Sequence, residues 1–227
     1  MSGKVWKLSP SDFAFLWGEC KRCFYLKNVI GFQRPRSIMP RIFNVIDAQM
    51  KDCFMKMRTE KIAPGMPPGV IEFGGQWVES SPIQIEGRSA ACYLRGIFDT
   101  VVKFDDGTYG VLDFKTSEVK ESHAALYGRQ LHAYAYALEN PAPRKFGLAP
   151  VTRLGLLIFQ PERFANEDGG KGLLAGGLTW MEIPRDDAAF LGFVNEMLAV
   201  LERPTAPDPT PSCEWCQYRE TSRQSGL

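Results

Sequence analysis

The chain has 227 residues, of which 44% are hydrophobic and 23% are charged, and this composition is typical of a globular protein with a sizeable core. The formal net charge at pH 7 is only +1, so contact with nucleic acid would depend on a local basic patch. The sequence contains no segment long and apolar enough to span a membrane, and the N-terminus lacks the apolar core of a signal peptide. We therefore expect a cytoplasmic protein with no membrane partner.

Two Cys-x-x-Cys pairs lie near the two ends of the chain. The first is Cys20 and Cys23, and the second is Cys213 and Cys216. Because two thiolates at this spacing can reach one tetrahedral centre, the pairs together predict a structural metal site that joins the chain's ends. Cys53 and Cys92 have no partner at this spacing, and we expect both to be buried thiols.

The first hundred or so residues, outside the cysteine pair, contain patterns that predict helices, a loop and strands. A helix follows Ser9, and a basic stretch over residues 32–61 contains an amphipathic helix predicted at 42–57. Residues 63–75 are rich in Pro and Gly, which predicts a loop. Apolar and β-branched residues then predict strands over 77–85 and Ala91–Ile97.

A β-hairpin is predicted next, because two apolar runs flank the turn Asp105-Asp106-Gly107. A three-residue loop with Gly107 in the left-handed conformation pairs Phe104 with Thr108. A two-residue turn would shift this register by one position and move alternate side chains to the other face of the sheet. The length of the turn therefore decides which side chains lie opposite each other.

Two acids and a lysine share one face of this hairpin in the three-residue register. Asp99 lies across from Asp113, and Lys115 points to the same face because side chains alternate along a strand. Like charges directly opposite each other destabilise a pair of strands, but a divalent cation between them reverses the sign of the interaction. The register therefore predicts a metal site between Asp99 and Asp113.

After the hairpin, apolar residues recur at helical intervals, which predicts a helix over residues 122–139. Gln130 and Tyr134 are four residues apart and share a face of this helix. The nearly continuous apolar run at 152–160 predicts a strand that is covered on both faces of the sheet. Residues 164–177 are rich in glycine and predict a flexible loop. The remaining predictions are a strand at 178–183, a helix at 186–201 and a proline-rich connector at 204–211.

The order Gly-x-x-Asp, then Asp-x-Lys, then Gln-x-x-x-Tyr resembles the PD-(D/E)XK nuclease superfamily, and in particular its RecB-like branch. The resemblance covers about forty contiguous residues, from Gly96 to Tyr134, which makes it far more specific than an isolated Asp-x-Lys. It implies an α/β fold with a restriction-endonuclease-like core, a mixed central sheet flanked by helices, and ends joined by the four-cysteine metal site. We expect a single RecB-like nuclease domain over residues 1–227, with a helical part at 1–60, a nuclease core at 70–203, and a connector carrying the second cysteine pair at 204–227.

The resemblance also implies a role for each residue on the shared face. Asp99 and Asp113 would bind Mg²⁺ or Mn²⁺ together with the backbone carbonyl of Phe114, since hard cations prefer oxygen ligands. Lys115 would orient the attacking water or offset the charge that develops on phosphorus.

Three further residues receive candidate roles from the resemblance. Gln130 and Tyr134 would position the substrate or the lysine. Relatives often carry a His or Glu metal ligand on the helix that precedes the core strands, and here Asn44 occupies what looks like that position. Asp47, slightly less than one helical turn later, is the substitute candidate for that ligand. The alternative for Asp47 is a solvated residue paired with basic neighbours.

For the four cysteines we expect a 4Fe-4S cluster, with a structural zinc ion as the alternative. The four thiolates, considered by chemistry alone, favour zinc. The resemblance favours a 4Fe-4S cluster, because relatives such as CRISPR-associated adaptation nucleases and AddB place one ligand near the N-terminus and three near the C-terminus. The last of those positions falls near Ser222 in this chain, and Cys23 restores the count to four.

The resemblance implies DNA as the substrate, single-stranded DNA in particular, cut by an exonuclease or endonuclease in repair, phage or CRISPR-related processing. No phosphate-binding Gly-rich loop with Lys-Ser/Thr occurs, so a helicase would be a separate protein partner. Two alternatives from other classes stay open. One is an inactive nucleic-acid-binding or scaffolding module that keeps the fold, and the other is a metal-clamped adaptor that acts only through a protein partner.

Overall fold

The computed structural model of the chain describes residues 3–35, 38–167 and 169–226. Its strands are β1 (Val5–Leu8), β2 (Gly69–Gly74), β3 (Trp77–Glu79), β4 (Ile83–Gln84), β5 (Ala91–Ile97), β6 (Thr100–Phe104), β7 (Tyr109–Thr116), β8 (Val151–Glu167) and β9 (Lys171–Ile183). Its α-helices are α1 (Pro10–Asp12), α2 (Lys21–Tyr25), α3 (Arg41–Phe54), α4 (Ser122–Glu139), α5 (Asp187–Leu201) and α6 (Glu214–Gln224). Short π-helical segments, Phe13–Trp17 and Leu26–Ile30, follow α1 and α2.

Two mixed sheets form the framework, as the α/β fold predicted from the sequence requires. The larger sheet has the strand order β2-β6-β7-β8-β9, in which β7 and β8 are parallel and the other neighbours are antiparallel. Helix α4 makes the crossover between β7 and β8, which a parallel pair needs. In the smaller sheet, β5 pairs with β1 in parallel and with β3 and β4 in antiparallel orientation.

Alternating side chains of the larger sheet enter two separate apolar cores. On one face, Val101, Val111 and Leu154 pack in the core that also contains apolar residues of α4 and α5. On the other face, Val102 and Leu112 pack in a smaller core with residues of α3. Burial on both faces explains the nearly continuous apolar sequence of β8 and confirms the prediction made for that strand.

Three predictions for the strands and the loops between them were wrong in whole or in part. Residues 63–75 are not a loop throughout, because β2 occupies Gly69–Gly74 and pairs with β6. The strand expected at 77–85 is divided into β3 and β4. The predicted loop at 164–177 instead forms the paired ends of β8 and β9. Asp168, within that segment, lies outside the described residues.

Close packing explains the glycines of this long hairpin. A Cβ atom on Gly172 would overlap the ring of Phe164, and one on Gly176 would overlap the carbonyl of Gln160. These glycines therefore permit a close approach between paired strands, which sequence patterns do not distinguish from loop flexibility. None of the helices in the described ranges combines the length and apolar character needed to cross a membrane.

A matched pair of glycine substitutions tests the packing on β8. Gly155 is buried beneath the ring of Trp180, so Gly155→Ala introduces a methyl group that overlaps the ring. We expect this change to lower the free energy of unfolding by about 1–3 kcal/mol. Gly192 lies within α5 with no neighbour for an added Cβ, so Gly192→Ala should raise stability by about 1 kcal/mol. Urea denaturation measures both, and equal stability of Gly155→Ala and the wild type would contradict the packing argument.

Candidate functional site

The hairpin between β6 and β7 has the three-residue loop predicted from the sequence. The Phe104 N–H donates to the Thr108 carbonyl over 2.8 Å, and Gly107 has a φ of 85°. Further along the strands Thr100 pairs with Leu112, so Asp99 and Asp113 occupy the next opposed positions. The register that brings the two carboxylates together is therefore confirmed.

The two carboxylates lie in a pocket of about 470 Å³. It is lined by Phe15, Met39, Phe43, Asn44, Asp47, Met50, Asp99, Asp113, Phe114, Lys115, Thr116, Tyr127 and Gln130. Four of the five predicted catalytic residues thus meet at one concave surface, and Tyr134 is the exception. Strand β7 contributes the acid and the lysine, α4 contributes the glutamine, and α3 closes one side.

Asp113 is the most deeply buried acid of the pocket. Its side chain is only 5% exposed, and its Oδ2 atom forms an ion pair with the Lys115 ammonium group, without the alignment of a hydrogen bond. Lys115 also lies 4.4 Å from the centroid of the Tyr127 ring, which holds the ammonium group beside the acid. Burial would lower the pKa of Lys115, but the charge of Asp113 raises it, so the lysine stays protonated.

Asp99 is held by donors from two directions. Its Oδ1 atom accepts a hydrogen bond of 2.9 Å from Lys51 on α3, and its Oδ2 atom accepts one of 3.3 Å from the Phe114 N–H. Burial would raise the pKa of Asp99, but hydrogen bonds from Asp113 and Lys51 lower it. Asp99 is therefore the ionised member of the pair.

Asp113 is the member that retains a proton near neutral pH. Burial raises its pKa, the charge of Lys115 lowers it and the negative charge of Asp99 raises it, and together these effects place it at about 7. Two hydrogen-bonded carboxylates share a proton because ionising both would place two negative charges side by side. A divalent cation would remove this constraint by neutralising both acids at once.

Two buried oxygen atoms in the pocket show that the residues fit a cation. Asp113 Oδ2 and Gln130 Oε1 accept no hydrogen bond from the described part of the chain. Buried polar atoms in folded proteins nearly always have a partner. Asp113 Oδ2 has the Lys115 ammonium group beside it, whereas Gln130 Oε1 has no partner and is available for a ligand. Oxygen acceptors are the donors that Mg²⁺ and Mn²⁺ prefer.

Tyr134 does not line the pocket that contains the two acids. It is 5% exposed, and its ring and hydroxyl group face the backbone at Gly96. Burial raises its pKa, as do the charges of Asp113 and Asp99, so the hydroxyl group stays protonated. Because it lies outside the pocket and is hydrogen-bonded to Gln130, Tyr134 suits support of Gln130 better than direct contact with a substrate in the pocket.

Asp47 reaches the pocket but not the pair of acids. Its carboxylate accepts a hydrogen bond of 2.8 Å from Lys51, which links it to Asp99 through the ammonium group. Among the described residues, Asp47, Asp99 and Asp113 do not offer three oxygen atoms that all lie within 4.8 Å of one another. Asp47 remains a candidate ligand only if Lys51 moves aside.

Sequence reasoning did not assign Lys51, Tyr127 or Phe15 to the site. Lys51 follows Asp47 by four residues on α3, and that spacing predicts only a local ion pair. Tyr127 precedes Gln130 by three residues on α4, a helical spacing that does point to the same face. Phe15 comes from a distant part of the chain and packs edge-on against Tyr127 with ring centroids 5.8 Å apart.

The four predicted cysteine ligands also meet, although they come from opposite ends of the chain. The Cys23 Sγ atom lies 3.7 Å from that of Cys213 and 3.5 Å from that of Cys216. The four sulfur atoms all lie within 4.8 Å of one another, and all four residues are buried. The expectation that the two pairs converge is confirmed.

The two other cysteines differ from each other. Cys92 is fully buried, as predicted, and burial raises its pKa to about 12. Cys53 is exposed, so the prediction that it is a buried thiol was wrong. It lies on the solvent side of α3, whereas Met50 and Phe54 face the core.

The family model of the PD-(D/E)XK nuclease superfamily matches residues 48–221. The chain belongs to this superfamily. The match includes the acid pair, Lys115 and the second cysteine pair, and the mixed α/β architecture agrees with it. No match was found among curated proteins.

The solved structures that are similar to this chain include one described as "Crystal structure of SSO0001". It is 17% identical to this chain, with a TM-score of 0.35, and the match covers 63% of this chain. The matched region spans only 57% of the length of that protein. This likeness is too distant to bear on function.

The pH dependence of stability tests the electrostatics of the acid pair. An ordinary aspartate titrates near about pH 4, whereas Asp113 titrates at about 7 in the fold. A carboxyl group with a raised pKa stabilises the fold below about pH 4, and this contribution is lost as the pH rises to about 7. Asp99, with its lowered pKa, changes its contribution only below about pH 4.

We therefore expect wild-type protein in EDTA to lose stability, relative to Asp113→Asn, as the pH rises from about 5 to about 7. Urea denaturation at several pH values measures this difference. Asp52→Asn, an exposed change on α3, is the control and should follow the wild type. A difference between wild type and Asp113→Asn that stays constant over this range would contradict the raised pKa of Asp113.

Proposed function

We propose that the protein is a Mg²⁺- or Mn²⁺-dependent deoxyribonuclease of the RecB-like branch. The observation that carries this proposal is the opposed pair of Asp99 and Asp113, with Lys115 beside them in an open pocket. A buried like-charge pair is costly, and a role in binding a cation accounts for it. Membership of the nuclease superfamily supports the same reaction class.

The proposed cation ligands are Asp99, Asp113 and the backbone carbonyl of Phe114, with Asp47 as a further candidate. When bound, the cation would act as a Lewis acid towards the scissile phosphodiester and supply a water of lowered pKa. Binding requires Asp113 to lose its proton and Lys51 to release Asp99. The cation would thus take the place of the Lys51 ammonium group on Asp99 and of the proton on Asp113.

Lys115 is proposed to orient the attacking water or to offset the negative charge that develops on the phosphate. Its ammonium group is fixed between Asp113 and the Tyr127 ring, so little reorganisation is needed during the reaction. The unpaired Oε1 atom of Gln130 suits a contact with the water or the substrate. Tyr134 would act by positioning Gln130 or the lysine.

Single-stranded DNA is the proposed substrate, and the support comes from an aromatic rim formed by Phe15, Phe43 and Tyr127. Phe15 is 45% exposed and Phe43 is 42% exposed, although both are apolar and line the same pocket as the acids. Aromatic rings beside a phosphate-binding site stack on unpaired bases, and each base contributes about 1–3 kcal/mol. Bases within a duplex are already stacked and cannot use such a rim.

The proposed setting is cytoplasmic DNA processing, by exonuclease or endonuclease action, in repair, phage or CRISPR-related pathways. Any strand-separating motor, such as a helicase, would come from a separate chain. This setting follows from the resemblance of the motifs to RecB-like nucleases.

One observation favours a second candidate, an inactive nucleic-acid-binding module that keeps the nuclease fold. Lys51 already donates to Asp99 and Asp47, so the lysine competes with a cation for these acids. If Lys51 never leaves Asp99, the pocket binds DNA without cutting it. Cleavage assays separate the two candidates directly.

Replacing either acid should abolish cleavage. We expect Asp99→Asn and Asp113→Asn each to reduce the rate by more than about 100-fold, because each removes a ligand charge from the reacting centre. Cleavage of end-labelled single-stranded and duplex DNA with Mn²⁺, Mg²⁺ or EDTA measures the effect. Asp52→Asn is the matched control, and unfolding curves check that each variant folds.

Cleavage by Asp113→Asn at the wild-type rate would refute the proposed nuclease site. If the wild type itself binds DNA and cuts no substrate with either metal, the binding module replaces the nuclease.

The aromatic rim should discriminate between the two forms of DNA. We expect the double variant Phe15→Ala/Phe43→Ala to bind single-stranded DNA at least about 10-fold more weakly, with duplex affinity changed less than about twofold. Fluorescence anisotropy with Ca²⁺ in place of Mg²⁺ measures binding. Phe164→Ala, which removes an exposed ring outside the pocket, is the control. Equal losses on both forms of DNA would refute the proposed role of the rim.

A further inference from the structure

The spacing of the four buried sulfur atoms distinguishes the two metals that the sequence leaves open. Three pairs of Sγ atoms are separated by 3.5 Å, 3.7 Å and 3.9 Å. None of the remaining pairs exceeds 4.8 Å. These distances are set by the positions of two helices and are independent of the acid pair.

A single tetrahedral ion requires this spacing. With zinc–sulfur bonds of about 2.3 Å, the sulfur atoms at the corners of the tetrahedron lie about 3.8 Å apart. In a 4Fe-4S cluster each thiolate binds a different iron, so the sulfur atoms are separated further, by on the order of 6 Å. The observed distances match the first geometry and fall short of the second.

We infer that the four-cysteine site binds one tetrahedral Zn²⁺ ion and does not hold a four-iron cluster. The four thiols release their protons to solvent as the ion binds. All four coordination positions are filled by protein, which is the arrangement of a structural zinc site. This inference does not depend on the proposed nuclease activity.

Contacts around the cysteines hinder the sulfur atoms from moving apart to the spacing of a four-iron cluster. To hold four irons, each sulfur would have to move outward by about 1.4 Å. Helix α2 is fixed to the connector that precedes the second pair, because Arg22 donates to the Pro207 carbonyl over 3.1 Å and Tyr25 donates to the Arg203 carbonyl over 3.0 Å. Trp17 packs edge-on against Phe24 on the other side of the helix, with ring centroids 5.1 Å apart.

Helix α6 explains why the sulfur atoms of Cys213 and Cys216 lie close together. Cys213 is the N-cap residue of α6 and Cys216 lies in its first turn, so both sulfur atoms face the same point. Ser222, near the position expected for a further cluster ligand, lies six residues beyond Cys216. Since an α-helix rises about 1.5 Å per residue, Ser222 is about 9 Å further along the helix axis. This position is too far from the four cysteine sulfur atoms to supply a ligand to the same cluster.

Charge near the site also suits a four-thiolate zinc ion, which carries a net charge of about −2. The Arg34 Nη2 atom donates to the Cys213 sulfur over 3.2 Å. Charge-assisted hydrogen bonds of this kind stabilise an anionic centre. The guanidinium group therefore offsets part of the charge that the bound ion leaves on the thiolates.

Metal analysis of the 227-residue chain tests this inference without reference to cleavage. The protein is purified anaerobically from cells supplied with both iron and zinc, and its metals, visible spectrum and X-ray absorption are measured. We expect about one zinc per chain, no broad absorption near about 400 nm, and zinc bound to sulfur at about 2.3 Å. Cys216→Ser should lose the zinc, and Cys53→Ser, which changes an exposed thiol, should keep it.

Four irons per chain with the broad absorption, or a chain that binds neither metal, would overturn the inference. A Cys216→Ser variant that retains one zinc per chain would overturn it as well. Zinc bound by a protein that cuts no DNA would leave the inference intact and refute only the proposed nuclease.

Discussion

The site depends on one constraint: the strand register holds the carboxylates of Asp99 and Asp113 close together. Antiparallel pairing around a three-residue turn places Asp99 opposite Asp113, and the apolar faces of β6 and β7 fix that register because a slip of one residue would expose the core. The electrostatic cost is met locally, by Lys115 on one acid and Lys51 on the other. A divalent cation between the two carboxylates would lower the remaining repulsion between them.

Positive charge in the pocket has two different origins, and this difference matters for metal binding. Lys115 belongs to the same strand as Asp113, and its ammonium group lies between that acid and the Tyr127 ring. Lys51 comes from α3, which packs on the sheet through the smaller core, and its side chain is 25% exposed. The proposed cation site requires Lys51 to turn from Asp99 towards solvent. In the proposed reaction, Lys115 would remain beside the phosphate on which negative charge develops.

Local patterns were sufficient to predict the acid pair, because turn length and strand alternation determine which residues of a hairpin are opposed. The same holds for Gln130 on α4 and for the paired cysteines, whose spacings are properties of single helices. Lys51 and Phe15 could not be predicted, since they reach the pocket through the tertiary packing of α3 and of the N-terminal segment. The long β8–β9 hairpin was missed for another reason: its glycines permit close strand contact, and sequence alone does not separate that role from flexibility.

The central claim is that Asp99 and Asp113 form one cation site. The most direct test is anomalous diffraction from crystals of the protein grown with Mn²⁺. The account predicts a manganese peak between the two carboxylates, at about 2.2 Å from an oxygen of each, with Lys51 displaced from Asp99. No peak at the pair, with Lys51 still bound to Asp99, would contradict it.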